Sequence, residues 1–395
     1  MPTDIYQAAL AQLGTVYYGN VWLALASIAY TDEKSDEIKN VGNDLPARIA
    51  KLAALPAPPS YTGTVGGSWV VDWGPTTKTE SATKNANLMY VVSYRRSDTG
   101  APLFVAVCIR GTDTHELYTP GGLCTQLGED LDVEHLIDWQ YVVTGVVPSG
   151  GYEYPAAPGL PASIAKGTWN GLDSLRSMTA TLSSPLKGAP TGAVTVEAYV
   201  TWLLGAYPGL PIIVTGHSLG GCQTTVMGAL LAQENKGATV VPHPFAPPSA
   251  GNQAWADVYA QLCPQTQIWW NTADVVPNAF QNIDSASPTT SSLSNILNMW
   301  GSPYGDGPGI SFVDAGLVKR YQNSVGRTYV HLANSLPQGN VQTLVGAYSP
   351  PDKSNFLDKW FVELTVQHFP PMYTTLMAKQ LGSKLAPFVC PPPPA

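Results

Sequence analysis

Residues 211–221 read Pro-Ile-Ile-Val-Thr-Gly-His-Ser-Leu-Gly-Gly, and this stretch restricts the fold more than any other. An apolar run, 212–214, leads into Gly216-His217-Ser218-Leu219-Gly220, and a helical pattern over 219–235 follows without a gap. Strand, sharp turn and helix in direct succession form the context in which a G-x-S-x-G pattern presents its serine for attack. The turn holds that serine in strained backbone geometry. A side chain at either flanking position would strike the adjoining strand or helix, hence Gly216 and Gly220. The hydroxyl then lies at the sheet edge, with the helix N-terminal amides aimed at charge developing there.

The rest of the chain fits an α/β sheet around that elbow. Helical spacing appears at 5–13, 21–30 and 47–55, and strand-like runs follow at 68–73, 88–94 and 103–109, the last two joined by a hairpin turn over 95–100. Helical patterns return at 167–182 and 194–206, and further short strands are expected at 239–241 and 267–270. Alternation of this kind predicts a mostly parallel central sheet with helices on both faces, in a single domain over 1–395. Two excursions interrupt it. Residues 113–163 are long, polar and rich in Gly and Pro, and contain one expected helix over 132–141; residues 281–350 form the second excursion, Ser/Thr/Asn/Gly-rich as far as Gly316.

Composition narrows the partners. Charged residues make up 12% of the 395 positions, about half the usual share, while the net charge is −8. No Lys/Arg cluster is present. These features argue against nucleic acid or an anionic membrane and favour a neutral substrate. No apolar run approaches the length of a transmembrane segment. The start, Met1-Pro2-Thr3-Asp4, has no basic region followed by an apolar core, so no secretory signal is read in this chain. The compartment stays open, with a mature secreted form preferred over a cytoplasmic one. Of the five cysteines, Cys108 and Cys222 lie in apolar contexts and read as buried free thiols; a bridge among Cys124, Cys263 and Cys390 is left open.

A serine hydroxyl needs an imidazole to take its proton and a carboxylate to orient that imidazole. Among the six histidines, His217 reads as a packing residue of the elbow, because adjacent side chains on a tight turn point apart. His115 and His135 fall in the polar excursion, and His243, between two prolines, reads as a satisfied structural histidine. His331 and His368 remain, both C-terminal to the elbow as the order Ser–acid–His requires. Asp274 is the best acid, since it stands just past a short apolar strand in a loop stiffened by Pro277. A turn-forming Asx residue accounts for it equally well at this level.

Four blocks, in order, resemble the class 3 lipases, the fungal-type triacylglycerol lipase family of the α/β-hydrolases. They are Val107-Cys108-Ile109-Arg110-Gly111-Thr112, the elbow from Thr215 to Gly221, the loop from Pro244 to Asn252, and Asn271-Thr272-Ala273-Asp274-Val275-Val276-Pro277. A fifth block, from His368 to Tyr373, is similar to that family's terminal His followed by Tyr. The resemblance implies Ser218 as nucleophile, Asp274 as acid and His368 as base, with His331 the rival for the last role. It implies an oxyanion hole from the amides of Thr112 and Leu219, and a need for no metal or organic cofactor. Three departures stand out: Pro244 and Ala246 where the family has Thr and Gly, a longer segment between Asp274 and His368, and a longer lid region over 113–163.

The expected activity is hydrolysis of acylglycerols or another neutral ester, with transient contact at a lipid–water interface. Esterases for soluble, aromatic or polymeric esters use the same triad, and an inactive binding protein on a hydrolase fold is the reading from a different class. In the polar excursion, Leu131, Val133, Leu136, Ile137, Tyr141 and Val142 form the apolar side of an expected lid helix.

Overall fold

The computed structural model describes residues 16–28, 30, 67–81, 84–111, 132–146, 159–278, 329–346 and 363–380. The helices expected at 5–13 and 47–55 lie outside these, as do Thr112 and most of both excursions. The described elements, in order, begin with α1 (Val16–Ile28), β1 (Gly67–Ser81), β2 (Lys84–Arg96) and β3 (Pro102–Ile109). Next come β4 (Leu136–Asp138), α2 (Trp139–Thr144), β5 (Ser163–Ala165) and α3 (Lys166–Arg176). After β6 (Thr179–Thr181), β7 (Ala193–Thr195) and α4 (Val196–Ala206) the chain enters β8 (Ile212–His217) and α5 (Leu219–Glu234). It ends with β9 (Val240–Phe245), α6 (Gln253–Leu262), β10 (Ile268–Asn271), β11 (Val341–Leu344) and α7 (Pro370–Gln380).

Among the described residues the central sheet has seven strands in the order β1-β2-β3-β8-β9-β10-β11. The β1–β2 and β2–β3 pairs are antiparallel, and every pair from β3 onward is parallel. Strands β3 and β8 are buried at every residue, as continuous apolar runs must be when helices cover both faces. Alternation along β3 divides the core: Val105, Val107 and Ile109 face one cluster, and Phe104, Ala106 and Cys108 face the other. The first cluster is closed by α3, α4, α5 and α6 through Leu172, Val200, Val226 and Trp255. The second is closed by α1 and α7 through Trp22, Leu25, Tyr373 and Met377. Cys108, Cys222 and Cys263 are buried free thiols.

Several local expectations are revised. The strand expected to stop at Val241 continues to Phe245, through Pro242 and Pro244. Both prolines lie on the β10 side of β9, since Pro242 O accepts from Gln267 N–H while Phe245 O, on the other side, accepts from Ser218 N–H. Lacking N–H donors on that side, β9 pairs with β10 only at Trp269 and Phe245, whereas its pairing with β8 spans six positions. The expected helix at 132–141 is instead strand β4, paired with β5, followed by the short α2. Its Val133, Leu136, Ile137 and Val142 are buried in the first core cluster, and Tyr329 Oη donates to Val133 O at 2.8 Å. The excursion placed at 281–350 ends sooner, because 341–344 is β11, a parallel edge strand beside β10. The helix expected over 167–182 stops at Arg176, and α6 carries no assignment from the sequence.

Candidate active site

Ser218 joins β8 to α5 with φ 61° and ψ −128°, a backbone region that costs a non-glycine residue about 1–3 kcal/mol and persists only where the surroundings enforce it. Two hydrogen bonds do so here: Ser218 N–H to Phe245 O and Cys222 N–H to Ser218 O, each 3.0 Å. A Cβ at Gly220 would stand 2.5 Å from Ile109 O, and one at Gly216 would overlap the Gly220 carbonyl. Only glycine fits at either position. The expected role of the flanking glycines is thus seen as a close approach of backbones.

His368 ends a helical stretch at 363–368, just before α7. Its Nε2 lies 2.8 Å from Ser218 Oγ, and its Nδ1 lies 2.9 Å from Asp274 Oδ2 and 3.1 Å from Oδ1. A carboxylate accepts, so Nδ1 carries the proton, and the Nε2 lone pair faces the serine hydroxyl. Residues 150 and 94 positions apart in the chain thus meet in one line. All three are buried: Ser218 is 3% exposed, His368 1% and Asp274 0%.

Asp274 follows β10 and opens a helical turn, Val275–Asn278. Its two oxygens have different partners: Oδ1 accepts the Val276 N–H at 2.9 Å, as an Asx turn requires, while Oδ2 faces His368. Oδ2 also accepts the Tyr373 hydroxyl at 2.7 Å. Burial, followed by the negative Asp274, holds the Tyr373 phenol well above its ordinary range, so it stays a donor. In the sequence Tyr373 closes the fifth block and has no role of its own assigned to it. Asn271 adds a brace that sequence reasoning missed, donating from Nδ2 to Gln367 O at 3.0 Å and Gln367 Oε1 at 2.8 Å. Gln367 Nε2 in turn donates to Glu363 Oε1 at 2.6 Å.

His217 has more than a packing contact. Its Nε2 is 2.7 Å from His368 O, and its ring centroid is 4.7 Å from that of His368. Tyr30 Oη lies 3.3 Å from both His217 Nδ1 and His217 O. Burial, and then the neighbouring His368, hold His217 well below the usual histidine range, so it is neutral.

His331, the rival base, lies elsewhere. It caps the 3₁₀ turn Leu332–Asn334, accepting from Ala333 N–H at 3.3 Å, and its ring packs 4.9 Å from Trp270. Burial pushes it down to about 4. His243, expected to be a satisfied structural histidine, is buried, but among the described residues neither ring nitrogen meets a partner, and burial pushes it down to about 3. His135 pairs with Asp132 at 2.7 Å, near the surface. Leu219 opens α5, where the first backbone N–H groups have no acceptor within the helix. Gly111 brings the end of β3 to the elbow, since a Cβ there would stand 3.2 Å from Ser218 Cβ; Thr112, the next residue, lies outside the described positions.

Residues 174–283 match the family model for lipase (class 3). A secreted alkaline triacylglycerol lipase of Penicillium cyclopium is 32% identical over 88 residues, which are 22% of this chain and 31% of that protein. The match thus spans under a third of that relative's length. The crystal structure of M37 lipase superposes with a TM-score of 0.62 at 21% identity, covering 92% of this chain and 91% of that one; at that identity the likeness is one of fold. Among the described residues no helix is long and apolar enough to cross a membrane. The resemblance read from the sequence therefore holds: residues 174–283 carry the class 3 lipase pattern, on an α/β-hydrolase fold.

Proposed function

We propose that this protein is a serine carboxylic ester hydrolase acting on acylglycerols through Ser218, His368 and Asp274. The observation that carries the reading is the buried hydrogen-bonded line from Ser218 Oγ through His368 to Asp274 at a strained strand–helix elbow. Ser218 Oγ attacks the ester carbonyl carbon as its proton passes to His368 Nε2. The tetrahedral oxyanion is held by the amides of Leu219 and Thr112. Collapse breaks the bond to the alcohol oxygen, which leaves with the proton from Nε2. Water then attacks the acyl-enzyme, giving its proton to Nε2, and the second collapse releases the acid and returns the proton to Ser218. Throughout, Asp274 orients the Nδ1–H and stabilises the imidazolium.

The class 3 lipase pattern over 174–283 supports acylglycerols as substrates, reached at a lipid–water interface. A secreted setting accords with the name of the Penicillium relative. Replacing Ser218 by Ala is expected to lower kcat on the order of a million-fold with an unchanged circular dichroism spectrum. Fluorophosphonate labelling should be lost with it. A Ser218→Ala protein that still turned over a triacylglycerol at a tenth of the wild-type rate would sink the assignment. Rates on a series of triacylglycerols and soluble esters separate a lipase from an esterase on soluble substrates.

A further inference from the structure

Two consecutive carbonyls at the proposed base are each gripped by a side chain from another part of the site. Asn271, at the end of the strand that leads to Asp274, holds Gln367 O at 3.0 Å. His217, at the end of the strand that leads to Ser218, holds His368 O at 2.7 Å. We infer that His217 is a positioning residue: by donating Nε2–H to the His368 carbonyl it sets the distance between the base and Ser218. The inference rests on the hydrolase reading above.

The geometry gives this bond a purpose that packing alone lacks. His217 and Ser218 are adjacent on one buried strand end, so a strut from His217 locates the base relative to the nucleophile's own backbone. Displacements elsewhere in the sheet are then not passed to the Ser218–His368 distance. The strut is stiff, because the buried ring packs against both His368 and Tyr373, with centroids at 4.7 and 5.7 Å. A carbonyl acceptor requires the proton on Nε2, which leaves the Nδ1 lone pair toward Tyr30 Oη. Tyr30 thereby steadies the far side of the ring from just beyond α1. The ring is also uncharged. A second imidazolium at this distance would oppose the proton that His368 takes from Ser218, and a neutral donor does not.

A ring that merely filled space could be replaced by phenylalanine at little cost, whereas a positioning donor could not. With a soluble p-nitrophenyl ester, His217→Phe is expected to lower kcat roughly 10- to 100-fold, as misplacement of a reacting group does, with KM little changed. His217→Gln, whose amide supplies a donor at the same reach, should recover most of that loss. The far-downfield proton resonance of His368 Nδ1 provides a reading without substrate. It should broaden or move upfield in His217→Phe and return in His217→Gln. The inference is overturned if a folded His217→Phe keeps more than half of the wild-type kcat with that resonance unmoved, or if His217→Gln falls as far as His217→Phe. Should His217→Phe not fold, His217→Met serves as the donor-free comparison. If the wild-type protein neither labels with fluorophosphonate nor hydrolyses any ester, the hydrolase reading fails, and the resonance still decides whether His217 orders His368.

Discussion

Ala246 occupies a position where the family pattern has glycine, and its backbone explains that preference: φ is 48°, in the left-handed region. The left-handed region costs an L-residue about 1–2 kcal/mol. Ala246 is also fully buried, so removing its methyl group forfeits about 0.8 kcal/mol of burial and frees the unfolded chain. Ala246→Gly is therefore expected to be near neutral in urea unfolding. The same substitution at Ala106, buried in extended β3, has no strain to relieve and should cost about 1.5 kcal/mol. Equal losses at the two positions would refute strain at Ala246. At Asp274, conversion to Asn is expected to lower kcat by about 10⁴, because the amide presents a donor that favours the wrong tautomer of His368. Thermal unfolding of that variant reports whether the turn to Val276, which the amide oxygen can still accept, survives.

The elements most legible in the sequence were those whose residues are buried on both faces. Strand β3 and helix α5 lie within a residue of their expected bounds, and β8 starts where its apolar run does and continues to His217, because continuous apolar runs and a strand–Gly–Ser–Gly–helix order admit few alternatives. Ser218 and Asp274 were legible because each follows a strand, whereas His368, at the end of a helical stretch, was legible only from its order after the elbow and from the fifth block. What escaped depended on partners distant in sequence. The Pro242 and Pro244 positions in β9 are tolerated only because their missing donors face β10, and β11 is short and polar without the parallel neighbour that forms it. The braces Asn271–Gln367 and His217–His368 join residues roughly a hundred or more positions apart and leave no local pattern. The stretch read as a lid helix shows the same override, its helical spacing losing to pairing with Ser163–Ala165. Because Ile137 lies in the main core, Ile137→Ala is expected to cost about 2–5 kcal/mol in urea unfolding. A face that opened onto lipid would give a different result: little change in stability, and a lower rate only on emulsified ester.

Across the whole molecule, buried histidines link stability to pH. His243 is pushed down to about 3 and His331 to about 4, and His217 lies well below its ordinary value, in each case through burial first. Below about pH 6.5 the unfolded chain binds protons at these sites that the folded one refuses, so each removes about 1.4 kcal/mol of stability per pH unit. Stability present above that pH is lost as the pH falls toward the folded values. Asp72 and Glu363, raised by burial, act oppositely by taking up protons in the folded state, and ease the lower part of the fall. Urea midpoints between pH 6.5 and 5 should therefore drop steeply, and His243→Leu should remove about a third of the slope. An unchanged slope in that variant would show that His243 titrates normally.

The two prolines of β9 have a further effect. They leave a seam in the sheet between β9 and β10, crossed by a single paired position, and Ser218 and Asp274 stand on opposite banks of it. His368 touches both, so the catalytic line doubles as a staple across the seam. Amide hydrogen exchange should reveal this: the backbone N–H groups of the buried β10 residues Ile268, Trp269 and Asn271 are expected to exchange sooner than those of β8, and sooner still in His368→Ala, while β8 keeps its protection.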